Sequence, residues 1–254
     1  DTVNQEGVTP LFIASRSGRP EIARCLCKYK ADKEKTTQDG TTPLQVAAES
    51  GHLEVVRFLC EASANRTRAR QDGTTLLHGA AQNGHVEVVQ FLCSSSEDLE
   101  RKKQGGMTPL HIASHCGFPE VVRLLCKLRS DVESERKSGA TPLCTASRNG
   151  YVEVVQCLCE AGAYKDHATP DGVNPVLIAS RHGHVEVLRY LIEAGADQGS
   201  VRQDGPTPLH VASECGHQEV VSLLCKLRAG VEKVMGSGET PMHLAARSGR
   251  LAVA

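Results

Sequence analysis

The side chains best suited to chemistry in this chain are its eleven cysteines and eleven histidines. A metal site needs three or four such ligands that converge. The best local candidates are His111, His115 and Cys116, because a helix would place the two histidines on one face, and the pair His182 and His184. No Cys-x-x-Cys or His-Glu-x-x-His motif occurs. We therefore expect neither a metal site nor a cofactor.

Catalytic motifs are also missing from the sequence. It contains no nucleophile-elbow glycine pattern and no phosphate-binding glycine loop, which are signatures of many hydrolases and nucleotide-dependent enzymes. No isolated pair of acidic residues stands outside a repeating column. We expect a protein without catalytic activity, in which most cysteines and histidines serve the fold.

Six of the cysteines fall in one column of a 33-residue period, in which the remaining repeat has Ile192. They are Cys27, Cys60, Cys93, Cys126, Cys159 and Cys225. A column that exchanges Cys with Ile is a packing position. Equivalent positions in neighbouring repeats should lie about 8–10 Å apart, which is farther than a disulfide spans. Unpaired thiols indicate a reducing compartment, so we expect an intracellular protein of the cytoplasm or nucleus.

The whole chain is built on this 33-residue period. Thr-Pro-Leu triplets begin at Thr9, Thr42, Thr108, Thr141 and Thr207, with variants at Thr75, Asn174 and Thr240. Glycines recur at Gly18, Gly51, Gly84, Gly117, Gly150, Gly183, Gly216 and Gly249. Glutamates recur at Glu21, Glu54, Glu87, Glu120, Glu153, Glu186 and Glu219. Three columns in one register indicate an array of structural repeats.

Each repeat predicts two short helices. In the clearest copy, Pro208 suits the first turn of a helix and Thr207 can cap it. Gly216 ends that helix, and the apolar residues from Val220 to Leu224 recur at helical spacing in a second one. Isolated helices shorter than about 12–15 residues are marginal in water. The helices must therefore stabilise one another by packing.

The Thr-Pro-Leu-His motif, the Gly-His turn and the Glu-Val-Val helix resemble the ankyrin repeat over essentially the whole chain. The resemblance implies an all-α solenoid of antiparallel helix pairs with β-hairpin finger loops, whose turns would centre on pairs such as Asp39-Gly40. It also implies that the histidines of the motif hydrogen-bond to nearby backbone. These histidines are His78, His111, His210 and His243. The role implied by the family is binding of other proteins without chemistry.

The repeat register predicts a single ankyrin-repeat domain over residues 1–254. Its repeats are 6–38, 39–71, 72–104, 105–137, 138–170, 171–203 and 204–236, followed by a partial repeat at 237–254. Neither end shows the polar face of a capping repeat. A segment cut from a longer array is one interpretation, and a chain that ends in a frayed half-repeat is the other.

Some repeats depart from the family pattern where the second helix ends. The pattern has glycine there, because a left-handed cap strains other residues. Gly162 and Gly195 comply. The same column otherwise holds Lys30, Ser63, Ser96, Arg129 and Arg228. Repeat 72–104 departs most, with Leu76 in place of proline, Gly79 inside the first helix and a run of serines at its exit. We expect that repeat to have the lowest local stability.

The charge balance disfavours some classes of partner. The formal net charge is −1 and 23% of the residues are charged, so no global field favours nucleic acid or a membrane surface. No run of residues approaches the roughly 20 apolar residues of a membrane-spanning helix. We expect a monomer that binds neither nucleic acid nor membrane.

The positions just before the turn glycine are the best candidates for recognition. In the family they line a concave groove beside the fingers, and here they vary while the neighbouring columns are nearly constant. We expect partner contacts from Gln82, Asn83, His115, Arg148, Asn149, Arg181 and His182. The alternative interpretation is a neutral, solvated face.

The flanks of the fingers carry basic residues where the family usually has Asp or Asn. They are Arg70, Lys103, Arg136 and Arg202. Consecutive fingers would align them into a basic rail. An acidic or phosphorylated peptide in the groove would be steered by this rail and paired through Arg148 and Arg181. Solubilising charge on exposed loops is the alternative explanation.

The sequence therefore predicts a non-catalytic interaction scaffold that binds another protein or peptide along its groove. Two alternatives remain open. The array could be a passive structural spacer between other domains, or it could recruit substrate for a larger enzyme such as a kinase or ubiquitin ligase.

Overall fold

The computed structural model of the chain describes residues 3–4, 8–93, 96–199 and 204–252. These residues form sixteen α-helices and no β-strand, which confirms the predicted all-α fold. The chain divides into two units, Asp1–Asp131 and Val132–Ala254. Each unit is a row of helix pairs.

In the first unit, the first helices of successive pairs pack side by side, and so do the second helices. The first helices are α1 (Pro10–Arg16), α3 (Pro43–Glu49), α5 (Leu76–Gln82) and α8 (Pro109–Cys116). The second helices are α2 (Pro20–Lys28), α4 (Leu53–Glu61), α6 (Val86–Leu92) and α9 (Pro119–Lys127). A short additional helix, α7 (Ser96–Glu100), contacts α8.

The second unit repeats the same arrangement. Its first helices are α10 (Pro142–Asn149), α12 (Pro175–His182), α14 (Pro208–Cys215) and α16 (Pro241–Arg247). Its second helices are α11 (Val152–Glu160), α13 (Val185–Glu193) and α15 (Gln218–Lys226).

The first helices begin and end as the motif predicts. In α14, Pro208 occupies the first turn and the Thr207 hydroxyl oxygen accepts the backbone N–H of His210. Gly216 ends the helix in the left-handed conformation, with φ 82°. A threonine cap stabilises a helix by about 1 kcal/mol, which is too little to hold so short a helix without packing.

Small side chains allow the helices to approach closely. One column of the first helices is alanine and is fully buried, at 0% exposure, in seven repeats. It consists of Ala47, Ala80, Ala113, Ala146, Ala179, Ala212 and Ala245. The second helices contribute a leucine column that is also at 0% exposure, at Leu59, Leu125, Leu158, Leu191 and Leu224. The core is therefore a continuous layer of apolar side chains in each unit.

A histidine from the following repeat holds the turn between two helices. The Nε2 atoms of His52, His85, His184 and His217 lie 2.9–3.0 Å from the carbonyl oxygens of Arg16, Glu49, Arg148 and Arg181. A Cβ on the turn glycine Gly183 would lie 2.7 Å from Nδ1 of the His217 ring. The turn glycine thus makes room for the ring, and the Gly-His motif joins successive repeats.

The histidines of the Thr-Pro-Leu-His motif tie a helix start to the next loop, as the resemblance implies. The Nδ1 atom of His78 accepts the backbone N–H of Thr75 at 3.3 Å, and Nε2 lies 2.9 Å from the carbonyl oxygen of Met107. A backbone N–H can only donate, so Nδ1 has no proton and Nε2 carries it. The ring is neutral, and His210 makes the corresponding contacts with Thr207 and Glu239.

Acid is expected to destabilise the fold through His78. Burial lowers the pKa of His78 from 6.5 to about 4, so the unfolded chain binds the proton more readily than the folded chain. The contribution of His78 to the free energy of unfolding is fully present above the pKa that this residue has in the unfolded chain. It is lost as the pH falls from about 6.5 towards about 4. We expect the free energy of unfolding to drop by about 2 kcal/mol between pH 7.5 and pH 5 from this residue. Chemical denaturation across that pH range measures it.

The matched control for the titration of His78 is a variant with glutamine at this position. Gln45 occupies the same position in its own repeat, where its Oε1 accepts the Thr42 N–H at 2.9 Å and its Nε2 donates to the Arg68 carbonyl at 3.2 Å. The His78→Gln variant can therefore keep the cap without a titrating group. Its loss of stability between pH 7.5 and pH 5 should be smaller by about 2 kcal/mol. An identical pH dependence in the two proteins would contradict this role.

The finger loops fold as tight turns. Thr37 N–H donates to the Thr41 carbonyl at 3.1 Å, and Gly40 N–H donates to the Thr37 carbonyl at 3.0 Å. These two bonds close a hairpin-shaped turn but are too few to form a β-ladder, which explains why the described residues contain no strand. Neighbouring loops also join, since Gly236 N–H donates to the Asp204 carbonyl at 3.0 Å.

Four second helices end in strained caps, as predicted. The left-handed residues are Lys30, Ser63, Arg129 and Arg228, with φ between 54° and 65°. The expectation for Ser96 was wrong, because that residue begins α7 instead of capping α6. The preceding residues, Ser94 and Ser95, lie outside the described part of the chain. The low stability predicted for repeat 72–104 stays a prediction.

Candidate functional site

The strongest candidate site is a group of two arginines and a histidine at the ends of two first helices in the second unit. Arg148 lies in the last turn of α10, and Arg181 and His182 lie in the last turn of α12. All three side chains are exposed. We call these three residues the basic cluster.

The basic cluster is held by short helices that pack against each other. The ring of His182 stacks on that of His184, with centroids 6.2 Å apart and an angle of 16° between the planes. The Nε2 atom of His184 lies 2.9 Å from the Arg148 carbonyl oxygen, and that of His217 lies 2.9 Å from the Arg181 carbonyl oxygen. The backbone of both arginines is thus fixed by hydrogen bonds, while their guanidinium groups extend into solvent.

The charge of the basic cluster is not neutralised within the protein. No carboxylate oxygen of the described residues lies within 4.0 Å of the guanidinium groups of Arg148 or Arg181. Burial lowers the pKa of His182, and the positive charge of Arg148 lowers it further, with smaller effects from His184, Arg181 and His217. The site is therefore suited to bind an anion, because an anion would relieve this repulsion.

Other arginines at the ends of the two units are already paired with carboxylates. An Nη atom of Arg70 lies 2.6 Å from Oε1 of Glu49, and both side chains are largely buried. Gly79 makes room for this pair, because a Cβ there would lie 2.5 Å from Cγ of Glu49. At the end of the second unit, Arg247 pairs with Glu239 at 2.5 Å and with Glu214 at 3.4 Å. These arginines have less charge to offer a partner than the basic cluster has.

The basic rail along the fingers stays a prediction. Lys103 in the first unit and Arg136 in the second are half-buried. The Nε atom of Arg136 is buried and has no hydrogen-bond partner among the residues that the structure describes. Arg202 lies outside the described residues.

The remaining predicted contact residues differ in exposure. Gln82, Asn83 and His115 are exposed and Asn149 is half-buried. The side-chain amide of Asn83 donates to the carbonyl of Gly79 at 3.0 Å. Gln82 ends α5, Asn83 follows it and His115 lies in the last turn of α8, so these three residues belong to the first unit and the basic cluster to the second. Asn149 follows Arg148 at the end of α10.

The sequence did not reveal how acidic residues join consecutive repeats. Carboxylate oxygens of Glu34, Glu133 and Asp166 accept backbone N–H groups 31 residues further on, at 2.7 Å in each case. His167 lies outside the histidine columns. Its Nε2 atom is 3.0 Å from the Gly139 carbonyl oxygen and 3.6 Å from Oε1 of Glu135. The 33-residue spacing of the acids at positions 133 and 166 was the signal that could have identified these contacts.

The candidate metal ligands do not converge. His111 is buried with Nδ1 2.9 Å from the Thr108 hydroxyl, whereas His115 is exposed. No group of three or more His, Cys, Asp or Glu side chains in the described part of the chain could hold a metal ion.

Two thiols of the cysteine column are poorly suited to act as nucleophiles. None of the eleven cysteines forms a disulfide with another described cysteine. Burial raises the pKa of Cys93 to about 12 and that of Cys159 to about 11. The cysteine column is less buried than its predicted packing role implies, since Cys225 is exposed and the other five members are half-buried.

Comparison with known proteins addresses the family. A family model described as ankyrin repeats, three copies, matches residues 1–69, 61–136, 128–202 and 194–254. A search of curated proteins gives no significant match. Among the described residues, no helix has the length and apolar character needed to cross a membrane.

Proposed function

Because the chain belongs to the ankyrin-repeat family, whose members generally bind other proteins, we propose that it is a non-catalytic interaction scaffold for an acidic or phosphorylated segment of a partner protein. The observation that carries the proposal is the uncompensated charge of Arg148 and Arg181, beside His182, at the ends of α10 and α12. An interaction module with this surface needs no cofactor.

The chemistry of arginine explains the preference for anions. A guanidinium group presents donors that match the two oxygens of a carboxylate or phosphate. Since the helix ends are already fixed, the arginines lose only side-chain freedom when a partner binds. A phosphorylated side chain carries about two negative charges near neutral pH, so it gains more from the two arginines than a single carboxylate does.

The rest of the contact surface comes from the repeat architecture. A stable protein interface needs about 800 Å² from each partner. An extended surface that spans several neighbouring first helices and finger loops can supply such an area without a deep pocket, which favours a segment of a partner protein over a small molecule. The odd number of cysteines, eleven, favours the cytoplasm or nucleus as the compartment.

Fluorescence anisotropy with a labelled peptide tests the proposal. The probes are a peptide with phosphoserine between glutamates and the same peptide without the phosphate. We expect the phosphorylated peptide to bind more tightly and its affinity to fall several-fold between about 20 mM and about 150 mM salt, because salt screens exposed charges. Equal affinity for the two peptides, or affinity that does not change with salt, would contradict the proposal.

A further inference from the structure

The fold leaves the ring nitrogens of His182 available to a partner. Both ring nitrogens of His78 and of His210 contact backbone groups of the protein. His182 is exposed instead, and neither of its ring nitrogens hydrogen-bonds to another described residue. An imidazole nitrogen can donate or accept a hydrogen bond according to its protonation. His182 can therefore respond to the chemistry of a bound group.

Two distances place the His182 ring beside Arg148. The ring stacks on His184 with centroids 6.2 Å apart, and Nε2 of His184 lies 2.9 Å from the Arg148 carbonyl oxygen. Arg181 precedes His182 in the last turn of α12. The three side chains of the basic cluster thus start from neighbouring points of one surface.

The surroundings of His182 keep its ring uncharged while the site is empty. Burial lowers the pKa of His182 below its ordinary value of 6.5, and the charge of Arg148 lowers it further. The ring is therefore mostly neutral at pH 7.4. The elements that pack against α12 are α10, α13 and α14. Charged or titratable side chains at their near ends and in the adjoining turns are Arg148, His184, Glu186, Glu214, Cys215 and His217.

The two acidic side chains in this group are engaged by other cations. An oxygen of Glu186 lies 3.6 Å from Nε of Arg189, and Glu214 lies 3.4 Å from an Nη atom of Arg247. An anion that enters the basic cluster would therefore bring negative charge to a place where the positive charges of the arginines dominate. Negative charge beside an imidazole favours its protonated form.

We propose that His182 makes the basic cluster specific for phosphate over carboxylate, because it takes up a proton when a phosphorylated segment binds. The inference rests on the proposed function and names the partner segment as phosphorylated. A ring nitrogen takes the proton from solvent, and the imidazolium then donates a hydrogen bond to a phosphate oxygen. A phosphate with two negative charges can offset the repulsion from both arginines, whereas a carboxylate carries a single charge.

The pH dependence of binding tests this inference. The probe is the peptide with phosphoserine between glutamates, and fluorescence anisotropy gives its affinity between pH 8 and pH 6.5. Binding that raises the pKa of a group becomes tighter as the pH falls. We expect the affinity of the wild-type protein to rise about fivefold, within the limit of about tenfold per pH unit for one proton. The range stays above the second pKa of the phosphate, which is about 6.

Two histidine variants and a second peptide isolate the effect. His182→Gln keeps a polar side chain without the titration, so its affinity should change by less than about twofold over this range. His115→Gln makes the same change at an exposed histidine in the last turn of α8, and should keep the fivefold rise. A peptide with glutamate in place of phosphoserine should gain no more than about twofold with the wild-type protein. A wild-type rise in His182→Gln, or equal rises with the two peptides, would overturn the inference.

NMR of the histidine rings gives a direct measurement. In the phosphopeptide complex, the Cε1–H resonance of His182 should titrate with a higher apparent pKa than in the free protein. The corresponding resonance of His115 should not shift when the peptide binds. If the peptide binds and the pKa of His182 does not rise, this inference fails and the proposed function stands. If the peptide does not bind at any pH in the range, the proposed function fails and the inference fails with it.

Discussion

The Arg148→Glu/Arg181→Glu variant is expected to bind an acidic or phosphorylated peptide about 100-fold more weakly than the wild-type protein. Each charge-assisted hydrogen bond contributes about 1.5–3 kcal/mol, and the substitutions replace attraction by repulsion. We take a total of about 3 kcal/mol, because both side chains are exposed and screened. Fluorescence anisotropy at low and physiological salt measures the loss.

A control with the same change in net charge separates contact from general electrostatics. Lys226 and Lys233 are exposed residues of the same unit, outside the first helices. The Lys226→Glu/Lys233→Glu variant should lose no more than about threefold, through long-range steering alone. If the two double variants bind equally well, the basic cluster is not the site.

The Gly183→Ala variant is expected to lose about 2–3 kcal/mol of stability, the sum of a backbone cost and a lost hydrogen bond. Gly183 has φ +76°, and a Cβ would lie 2.7 Å from Nδ1 of His217. The left-handed conformation costs an alanine about 1–2 kcal/mol. Displacement of the ring also removes the His217 bond to the Arg181 carbonyl, which contributes about 1 kcal/mol. Chemical denaturation gives the global value, and hydrogen exchange in α12 and α14 shows where stability is lost.

Gly195→Ala isolates the contribution of the histidine ring. Gly195 also has a positive φ, of +86°, but no atom of another residue lies within 4 Å of the position that a Cβ would take there. This variant should therefore lose only the backbone contribution of about 1–2 kcal/mol. A loss as large as that of Gly183→Ala would show that the His217 contact contributes nothing to stability.

The fold could be predicted from the sequence because each repeat carries the same residue types at its helix boundaries. Thr207, Pro208 and Gly216 mark the beginning and end of one helix, and the same residue types recur at fixed spacing along the chain. These helix boundaries depend only on residues close in sequence and on packing between equivalent positions of neighbouring repeats. A single sequence with several repeats therefore contains the information needed to predict them. The strained caps at Lys30 and Arg129 followed from the same comparison between repeats.

The candidate site was harder to predict because it depends on which arginines form ion pairs with carboxylates in the folded protein. Arg70 and Arg148 looked alike in the sequence, yet Arg70 lies against Glu49 at 2.6 Å, whereas Arg148 has no such partner among the described residues. The Glu49 and Arg70 positions lie 21 residues apart, in different elements. Their contact depends on the geometry of the loop and on the space at Gly79, which the periodicity does not encode.

The hydrophobic cluster of Val8, Phe12 and Val46 shows a second limit of periodicity. Phe12 stands in the histidine column of the repeat, but the periodicity does not predict what surrounds it. Val8 precedes α1 and Val46 belongs to the next first helix, so the cluster forms only when α1 and α3 pack together. The extra helix that begins at Ser96 likewise breaks the register that the sequence predicts for a cap.

The most direct test of the account is NMR observation of the arginine Nε–H groups while an acidic phosphopeptide is added. The account predicts saturable shifts at Arg148 and Arg181, which have no carboxylate partner within the described part of the protein, and little change at Arg70, which Glu49 already holds. A peptide that binds while both signals of the basic cluster stay unchanged would contradict the account.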